Sequence, residues 1–311
     1  MGTDNAAKGN PIGAALVVGG GVGGMQAALD LAENGIMVYL VESRPSIGGV
    51  MPQLDKTFPT GDCSMCTLAP RLVEVGRHPN IELISYAEVK SFAGEPGKFK
   101  AIVRKKARYV DEKKCVGCGD CWGKCPQKKH GPPSEFDAGL VRRSAIYRPY
   151  PQAIPNIATL DRESCLYFQT GKCRICEKLC KAKAIDFDMK DEEITLDVGA
   201  AILAPGYEIF DARERQELGY GRFPNVVTAL EFERFLSPSG PTGGEVVRPS
   251  DGEHPKKLAY IQCVGSRDEE RNYCSSVCCM YATKGALVAK EHDPDLHATI
   301  FYIDIRASLK P

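Results

Sequence analysis

The stretch IGAALVVGGGVGG, residues 12–24, decides the fold of the first part of this chain. Its first seven residues form a short apolar run, which predicts a buried strand that ends at a glycine cluster. Residues 22–34 then carry apolar side chains at helical spacing and stop at Asn34-Gly35, a usual helix end. A second apolar run follows at residues 36–41. Strand, helix and strand within about 30 residues predict a βαβ unit and therefore a parallel sheet.

The glycine cluster matches the dinucleotide-binding pattern G-x-G-x-x-G. Its first glycine permits a tight turn, the second lets the backbone approach a pyrophosphate, and the third lets helix and strand pack closely. The helix N-terminus supplies free N–H groups to the phosphates. An acid ends the next strand, where it can accept a ribose hydroxyl. The predicted cofactor-binding residues are Gly19, Gly21, Val22, Gly23, Gly24 and Glu42, and the alternative is a glycine-rich turn without a ligand.

The residues after the second strand favour FAD over NAD. The acid of ESRP, residues 42–45, is followed by a glycine pair, as in flavoproteins of the disulfide-reductase type, where this loop follows the FAD pyrophosphate. The late segment AILAPG, residues 201–206, resembles the stretch that brings the chain back to FAD in those proteins. These two segments add Ser43, Arg44, Gly48, Gly49, Ala204 and Gly206 to the predicted site.

The composition predicts a globular protein with metal or iron–sulfur centres. The 311 residues are enough for about two domains, and 40 basic residues balance 40 acidic ones, which gives no electrostatic case for nucleic-acid binding. Of the 14 cysteines, eight fall between Cys115 and Cys180, mostly two or three residues apart. Disulfides rarely join such near neighbours, whereas a metal or cluster needs several thiolates at one point. The cysteines therefore indicate cofactors in a reducing compartment.

The most specific motif is the run C-x2-C-x2-C-x3-C-P at residues 115–126, the spacing of bacterial ferredoxins. In such a run three thiolates hold one [4Fe–4S] cluster and the fourth serves a second cluster, so another set of cysteines is required. That set departs from the pattern, because its first gap has seven residues and Lys181 replaces the usual proline. The predicted ligands are Cys115, Cys118, Cys121 and Cys180 for one cluster and Cys125, Cys165, Cys173 and Cys176 for the other, with structural zinc as the alternative.

Four further cysteines, Cys263, Cys274, Cys278 and Cys279, lie within 17 residues. They can converge on a cluster, act as redox thiols or be buried inert thiols. Lys284 follows on the same predicted helix. Its ammonium could stabilise a reduced flavin if the helix faces it, and an ordinary surface lysine is the alternative.

Cys63 and Cys66 form a separate Cys-x-x-Cys pair with three open interpretations. The pair can be a redox dithiol, can ligate a cluster completed by another chain or segment, or can be inert. The flanking Asp62 disfavours a thiolate. None of the five histidines lies at ligand spacing from a cysteine or carboxylate, and no Ser/His/Asp set suggests hydrolysis. Electron transfer is the only chemistry that the sequence supports.

Changes of pattern predict five segments. They are a first FAD-binding segment (1–107), an inserted ferredoxin-like domain (108–190), an FAD-binding return segment (191–236), a linker (237–257) and the start of a second nucleotide-binding-type α/β unit (258–311). Strands are predicted also at 81–85, 98–104, 257–264 and 298–305, a strand pair at 194–206, and a helix at 278–292. The polar residues 1–10 lack a signal-peptide core, and no apolar stretch approaches a bilayer span, which predicts a cytoplasmic protein without membrane insertion.

Several of these stretches together resemble the family of A-type heterodisulfide reductase subunits, which are iron–sulfur flavoproteins. They are GGGVGGMQAALDLAENG, ESRPSIGGVMPQLDKTFPTGDCSMC, LAPRLVEVGRHPNI, CVGCGDCWGKCP and CVGSRDEERNYCSSVCCMYATKGAL. The resemblance implies an α/β fold, in which a thioredoxin-reductase-like FAD-binding Rossmann domain carries an inserted α+β ferredoxin domain of the bacterial two-[4Fe–4S] type. It also implies a third [4Fe–4S] cluster on Cys263, Cys274, Cys278 and Cys279.

The same resemblance implies partners and a reaction. Family members work with B and C subunits of heterodisulfide reductase, with a hydrogenase or dehydrogenase as electron donor, and with ferredoxin, and in many of them the FAD bifurcates electron pairs. Members are usually much longer, whereas this chain stops at Pro311, early in the second unit. We therefore expect a C-terminally truncated form or a fold completed by another polypeptide.

Two hypotheses follow. The first is an FAD and iron–sulfur oxidoreductase subunit of a hetero-oligomer that distributes electrons from a donor. The second is a non-catalytic iron–sulfur relay or assembly module with an incomplete flavin site. A free-standing NAD(P)H disulfide reductase is disfavoured, because the sequence lacks a complete second G-x-G-x-x-G.

Overall fold

The computed structural model of the chain describes residues 12–307. These residues form two compact units. The first contains residues up to 51, 68–132 and 142–206, and the second contains residues 52–67, 133–141 and those from 207 onward. Most of the predicted insertion, residues 108–190, thus groups with the nucleotide-binding strands. The five predicted segment boundaries stay a prediction.

Residues 12–307 form seven α-helices and eleven β-strands. Their bounds are β1 Ala14–Val18, α1 Val22–Glu33, β2 Met37–Glu42, α2 Ser64–Arg77, β3 Ile81–Ser85, β4 Ala87–Glu95, β5 Lys98–Lys105, α3 Asp120–Gly123, β6 Ile146–Tyr147, β7 Thr159–Leu160, α4 Leu166–Thr170, α5 Ile175–Leu179, β8 Glu192–Val198, β9 Ala200–Leu203, α6 Ala229–Leu236, β10 Lys257–Ile261, α7 Cys278–His292 and β11 His297–Phe301. Short 3-10 helices lie at Met51–Gln53, Pro126–Lys128, Ala212–Glu214 and Gln216–Leu218.

The predicted βαβ unit is present in the first unit. β1 lies between β2 and β9 in a parallel sheet of order β3-β2-β1-β9, with Leu16 opposite Tyr39 and Ala201. Strands β1 and β2 are nearly continuous apolar runs, as is usual for strands of a parallel sheet that are covered on both faces. Helix α1 buries the apolar side chains that the helical spacing predicted, including Met25 and Leu29.

A three-stranded antiparallel sheet of order β4-β5-β8 packs against the parallel sheet. Ala101 and Val103 on β5 and Val198 on β8 share one apolar cluster with Leu16. The predicted strand pair at 194–206 is real, but its members separate. β8 joins the antiparallel sheet and β9 joins the parallel one, and the chain turns between them at Gly199. The strand β4 escaped prediction because most of its side chains are exposed and do not alternate.

The cysteine-rich segment contains only short elements. Helices α3, α4 and α5 have four or five residues, and β6 pairs with β7 over two residues. Its core is a cluster of small and aromatic side chains around Val110, Ile146 and Leu160. Two of the cysteines are buried in this cluster, and four more pack against it. The cysteine sulfurs therefore supply part of the packing of this segment.

In the second unit, β10 and β11 form a parallel pair and α7 packs on it. Strand β10 ends at Ile261 rather than at residue 264, because Cys263 adopts a φ of +61°, outside the strand region. Strand β11 likewise ends at Phe301. The predicted linker is partly packed, since Val246 is buried in a core with Leu236 and Val288. No helix within residues 12–307 has both the length and the apolar character that a bilayer crossing requires.

Candidate flavin and iron–sulfur sites

The turn after β1 is built so tightly that only glycine fits at two of its positions. Gly19 has a φ of +105°, and a Cβ added there would lie 2.1 Å from the carbonyl oxygen of Ala204. A Cβ on Gly24 would lie 1.8 Å from the carbonyl oxygen of Gly19. These contacts bring α1, β1 and the end of β9 against one another, as the first and third glycines of the dinucleotide motif require.

The middle of the same turn is open. A Cβ on Gly21 would meet nothing closer than the Cα of Gly49 at 3.9 Å, and one on Gly23 would meet nothing within 4 Å. Gly48 and Gly49 both have a positive φ, and the N–H of Gly48 donates to the carbonyl of Gly20 over 2.7 Å. The two predicted glycine segments therefore adjoin, with free space beside the N-terminus of α1 that suits a pyrophosphate.

Glu42 is buried and braces the turn. Its Oε2 accepts the N–H of Gly20 at 2.6 Å, while Oε1 accepts the N–H of Arg44 at 2.7 Å and the hydroxyl of Ser43 at 3.2 Å. The predicted contact of Glu42 with a ribose hydroxyl stays a prediction. In the structure the carboxylate holds β2 and the glycine turn together, which is a second task for the same side chain.

The return segment reaches the same turn. The N–H of Ala204 donates to the carbonyl of Val18 over 2.8 Å, which extends the pairing of β9 with β1 by one residue. Gly206 has a φ of +79°, and a Cβ added there would meet no atom within 4 Å. Ala204 therefore stands beside the glycine turn, and the contact of Gly206 with FAD stays a prediction.

The eight cysteines of the ferredoxin-like motifs sort into two groups of four in the structure. One cavity is lined by Cys125, Cys165, Cys173 and Cys176, and the other by Cys115, Cys118, Cys121 and Cys180. Each group combines three cysteines from one run with one from the other run. These are the two sets predicted from spacing, and four thiols are the donor set of a ferredoxin-type cluster.

Burial desolvates thiols of both cysteine sets. Burial raises the pKa of Cys121 and of Cys176 to about 12, and it raises the pKa of Cys165 as well. Thiols in such surroundings stay protonated unless a bound cation favours the thiolate. Within residues 12–307, no three or more Cys, His, Asp or Glu side chains lie close enough together for a single metal ion. The assignment of both sets to iron–sulfur clusters, with zinc as the alternative, therefore stays a prediction.

The third cysteine set gathers in the second unit. The thiols of Cys279, Cys263 and Cys274 all act electrostatically on Cys278, whose pKa is raised mainly by burial. Cys279 is buried at the start of α7, and its sulfur accepts the N–H of Arg306 at 3.3 Å. The other three thiols are thus within electrostatic range of Cys278, and the third cluster stays a prediction.

Lys284 is not a surface lysine. Its side chain is 7% exposed and forms an ion pair with Glu233 of α6, which is 1% exposed. The second oxygen of Glu233 accepts the N–H of Asp55 at 2.9 Å, and the Lys284 ammonium lies 4.8 Å from the ring centre of Tyr281. The surface alternative is therefore wrong, and the predicted proximity of Lys284 to a flavin stays a prediction.

Cys63 and Cys66 form a disulfide at the start of α2. Both residues are exposed. The disulfide does not decide among the three interpretations that the sequence left open, and they stay predictions.

Comparison with known proteins places these features in a family. Residues 15–56 match the family of FAD dependent oxidoreductases. Over 295 residues, 94% of its length, the chain is 53% identical to the A-type subunit of the H(2):CoB-CoM heterodisulfide,ferredoxin reductase of Methanothermobacter marburgensis. It is 55% identical, again over 94% of its length, to the A-type iron-sulfur subunit 2 of the CoB–CoM heterodisulfide reductase of Methanopyrus kandleri. The chain belongs to the family of A-type heterodisulfide reductase subunits.

The chain spans 44% of the length of each of these two relatives. Among solved structures, the L-proline dehydrogenase from P. horikoshii aligns with 92% of the chain and 34% of its own length, at 12% identity and a TM-score of 0.36. The family membership and the match over residues 15–56 support the FAD-type α/β fold expected from the glycine motif. The inserted ferredoxin domain stays a prediction.

One structural residue of the first unit was missed by the sequence reasoning. Arg108 is 1% exposed, and its guanidinium donates to the carbonyl of Pro45 at 2.7 Å and to the hydroxyls of Ser85 at 2.6 Å and Thr159 at 2.9 Å. Its Nε also lies 2.7 Å from a carboxylate oxygen of Glu112. Arg108 therefore ties the loop after β2 to the segment that precedes the first cysteine run. Its position among surface-like lysines and arginines, residues 104–108, gave no signal of burial.

Replacing Arg108 with methionine is expected to lower the free energy of unfolding by about 2–4 kcal/mol, because three buried acceptors lose their donor. Arg104→Met is the matched control. Arg104 is about one-third exposed and pairs with Glu88, so its loss is expected to cost at most about 1 kcal/mol. Urea denaturation followed by circular dichroism measures both. Equal losses for the two variants would contradict the bracing role of Arg108.

Proposed function

We propose that this chain is an FAD- and [4Fe–4S]-containing oxidoreductase subunit that distributes electrons inside a heterodisulfide-reductase-like complex. The observation that carries the proposal is the sorting of eight cysteines into two four-cysteine cavities in the same compact unit as the glycine turn. The names of the relatives support the same reaction class, since they are heterodisulfide reductase subunits and one is called an iron-sulfur subunit.

The residues that would hold FAD are those of the glycine turn and the segments against it. Gly21 and Gly23 leave room for the pyrophosphate, the N-terminus of α1 supplies N–H groups, and Glu42 keeps the turn in place. The clusters would be held by the two cavity sets and by the four cysteines around Cys278. When bound, FAD exchanges one or two electrons and each [4Fe–4S] cluster exchanges one.

The protein brings its two cavities close together. Cys121 lines one cavity and Cys176 lines the other, yet the charge of Cys176 contributes to the raised pKa of Cys121. Helices α3 and α5, which carry these two cysteines, are in contact. Two clusters held in these cavities would therefore lie side by side, which would favour the passage of an electron between them.

Partners belong to the same proposal. The Methanothermobacter marburgensis relative is named for hydrogen, the CoB–CoM heterodisulfide and ferredoxin. By analogy, we propose that this chain works with B- and C-type subunits, with a hydrogenase or dehydrogenase as donor and with ferredoxin as an acceptor. Division of electron pairs between two acceptors at the flavin is part of this analogy.

Anaerobic purification followed by flavin and iron analysis tests the function. About one FAD and roughly twelve iron atoms per chain are expected, since each of three clusters contains four. Iron without flavin would favour the non-catalytic relay, in which the flavin site is incomplete. Zinc in place of iron would overturn both hypotheses.

Single cysteine substitutions test the two cavity sets separately. Cys121→Ser and Cys165→Ser are each expected to lower the iron content by about four atoms per chain, because each thiol is predicted to serve a different cluster. The control is Glu163→Ala, an exposed position two residues from Cys165, which is expected to leave iron unchanged. Iron analysis with electron paramagnetic resonance of the reduced proteins measures the loss. If both substitutions removed the same signal, the assignment of two separate sets would be wrong.

A further inference from the structure

The electron path proposed above makes no use of Cys63 and Cys66. We propose that this pair is a thiol–disulfide exchange site that reacts with small thiols and small disulfides. The pair is oxidised in the structure, with its Cα atoms 5.2 Å apart, and both residues are exposed. Accessible sulfurs distinguish an exchanging disulfide from a structural one, because the incoming thiolate must reach the bond in line. The exchange at this pair does not depend on the proposed flavin and cluster chemistry.

The two sulfurs differ in their surroundings. Cys63 directly precedes Ser64, the first residue of the 14-residue helix α2, and therefore occupies the N-cap position. Its sulfur accepts the N–H of Cys66 at 3.1 Å, which is the contact that a capping oxygen makes in other helices. After reduction, the same N–H and the positive end of the helix dipole stabilise a thiolate at Cys63. Cys63 is thus the nucleophile of the reduced pair.

The loop before the helix holds this arrangement without the disulfide. The N–H of Ser64 donates to the carbonyl of Asp55 at 3.0 Å, and Lys56 pairs with Cys63 in an antiparallel bridge. The carboxylate of Asp62, which argued against a thiolate at the level of sequence, accepts the hydroxyl of Thr60 at 2.5 Å. The acid is therefore engaged inside its own loop, and the backbone that presents Cys63 is fixed by bonds that reduction does not break.

The exchange conserves atoms and electrons. A thiolate RS⁻ attacks one sulfur of the Cys63–Cys66 bond, that bond breaks, and the other sulfur leaves as a thiolate. A second RS⁻ then attacks the mixed disulfide and releases RSSR. In sum, two thiols RSH are oxidised to RSSR, and the protein disulfide is reduced to two thiols with transfer of two electrons and two protons. The reverse reaction oxidises the pair with a small disulfide.

The test uses the whole chain, purified anaerobically with its iron. Protein is equilibrated with defined ratios of dithiothreitol to its oxidised form, alkylated, digested and analysed by mass spectrometry for the peptide that carries Cys63 and Cys66. We expect reversible conversion between disulfide and dithiol at constant iron content. A pair that stays oxidised in excess dithiothreitol, or an iron content that falls when either cysteine is replaced, would overturn the proposal. The second result would assign the pair to a cluster instead.

A matched pair of variants tests the role of Cys63. In Cys66→Ser the remaining thiol keeps the backbone N–H and the helix end, whereas in Cys63→Ser the remaining thiol is that of Cys66. The first variant is expected to form a mixed disulfide with glutathione disulfide at pH 7 about tenfold faster than the second, because more of its thiol is ionised. Circular dichroism checks that both are folded. Equal rates, or a faster reaction of Cys63→Ser, would contradict the assignment of Cys63 as nucleophile.

Discussion

Replacing Lys284 with methionine is expected to lower the free energy of unfolding by about 3–5 kcal/mol, because it leaves the carboxylate of Glu233 buried without its cation. Glu233 is 1% exposed, and its other carboxylate oxygen accepts the N–H of Asp55 at 2.9 Å. Methionine fills a volume similar to that of the lysine stem, so the loss reports charge rather than packing. Urea denaturation followed by circular dichroism measures the change.

The same substitution at Lys56 is the control. Lys56 also pairs with a glutamate of the second unit, but its partner Glu291 is 60% exposed, and the pair is expected to contribute at most about 1 kcal/mol. The double variant Lys284→Met/Glu233→Leu is expected to recover most of the stability, since it removes both buried charges. If Lys284→Met and Lys56→Met lowered the free energy of unfolding equally, Lys284 would not be the counter-ion on which Glu233 depends.

Replacing Gly24 with alanine is expected to abolish tight flavin binding and to destabilise the first unit by about 3 kcal/mol. The added Cβ would lie 1.8 Å from the carbonyl oxygen of Gly19 and 3.3 Å from the Cβ of Ala204. Gly19 and Ala204 directly follow strands β1 and β9 of the parallel sheet, so α1 itself must move away from β1. The N–H groups at its N-terminus then leave the turn, and we expect the affinity for FAD to fall by a factor of about 100 or more.

Gly23→Ala is the control for stability, because a Cβ there would meet nothing within 4 Å and the residue lies inside α1. Alanine in a helix is favoured over glycine by about 0.5–1 kcal/mol, so this variant is expected to be as stable as the parent or slightly more stable. Thermal unfolding of the flavin-free proteins and flavin fluorescence titration separate the two effects. A Gly24→Ala protein that keeps both its stability and its flavin would show that close packing at this turn is not required.

The candidate cluster sites were predictable because their information is local. Cluster ligands must be cysteines, and the spacing of a ferredoxin run reflects a short backbone path around one cubane. The last cysteine of each run, Cys125 or Cys180, was therefore expected to join the three cysteines of the other run. The structure groups both residues in this way. The position of the glycine turn was predictable for the same reason, since Gly19, Gly21 and Gly24 act through their own backbone.

Helices α2 and α6 were not predicted, for different reasons. Helix α2 contains Pro70, and a proline usually interrupts the interior of a helix. Helix α6 had a readable signal, because Thr228 and Glu231 form a capping box at its start. Its eight residues are too few to show a clear period, and the preceding glycine- and arginine-rich stretch suggests a loop.

By itself, the sequence determined the nucleotide-binding βαβ unit, the grouping of eight cysteines and the identity of the residues around the glycine turn. Each of these depends on neighbours within a few dozen residues, or on residue types that have few alternative uses. Only the tertiary structure decided the burial of Arg108 and Lys284, the bracing role of Glu42 and the disulfide between Cys63 and Cys66. A charged side chain has the same sequence signature on a surface as in a core, and its environment is set by partners such as Ser85 or Glu233, which lie more than 20 residues away.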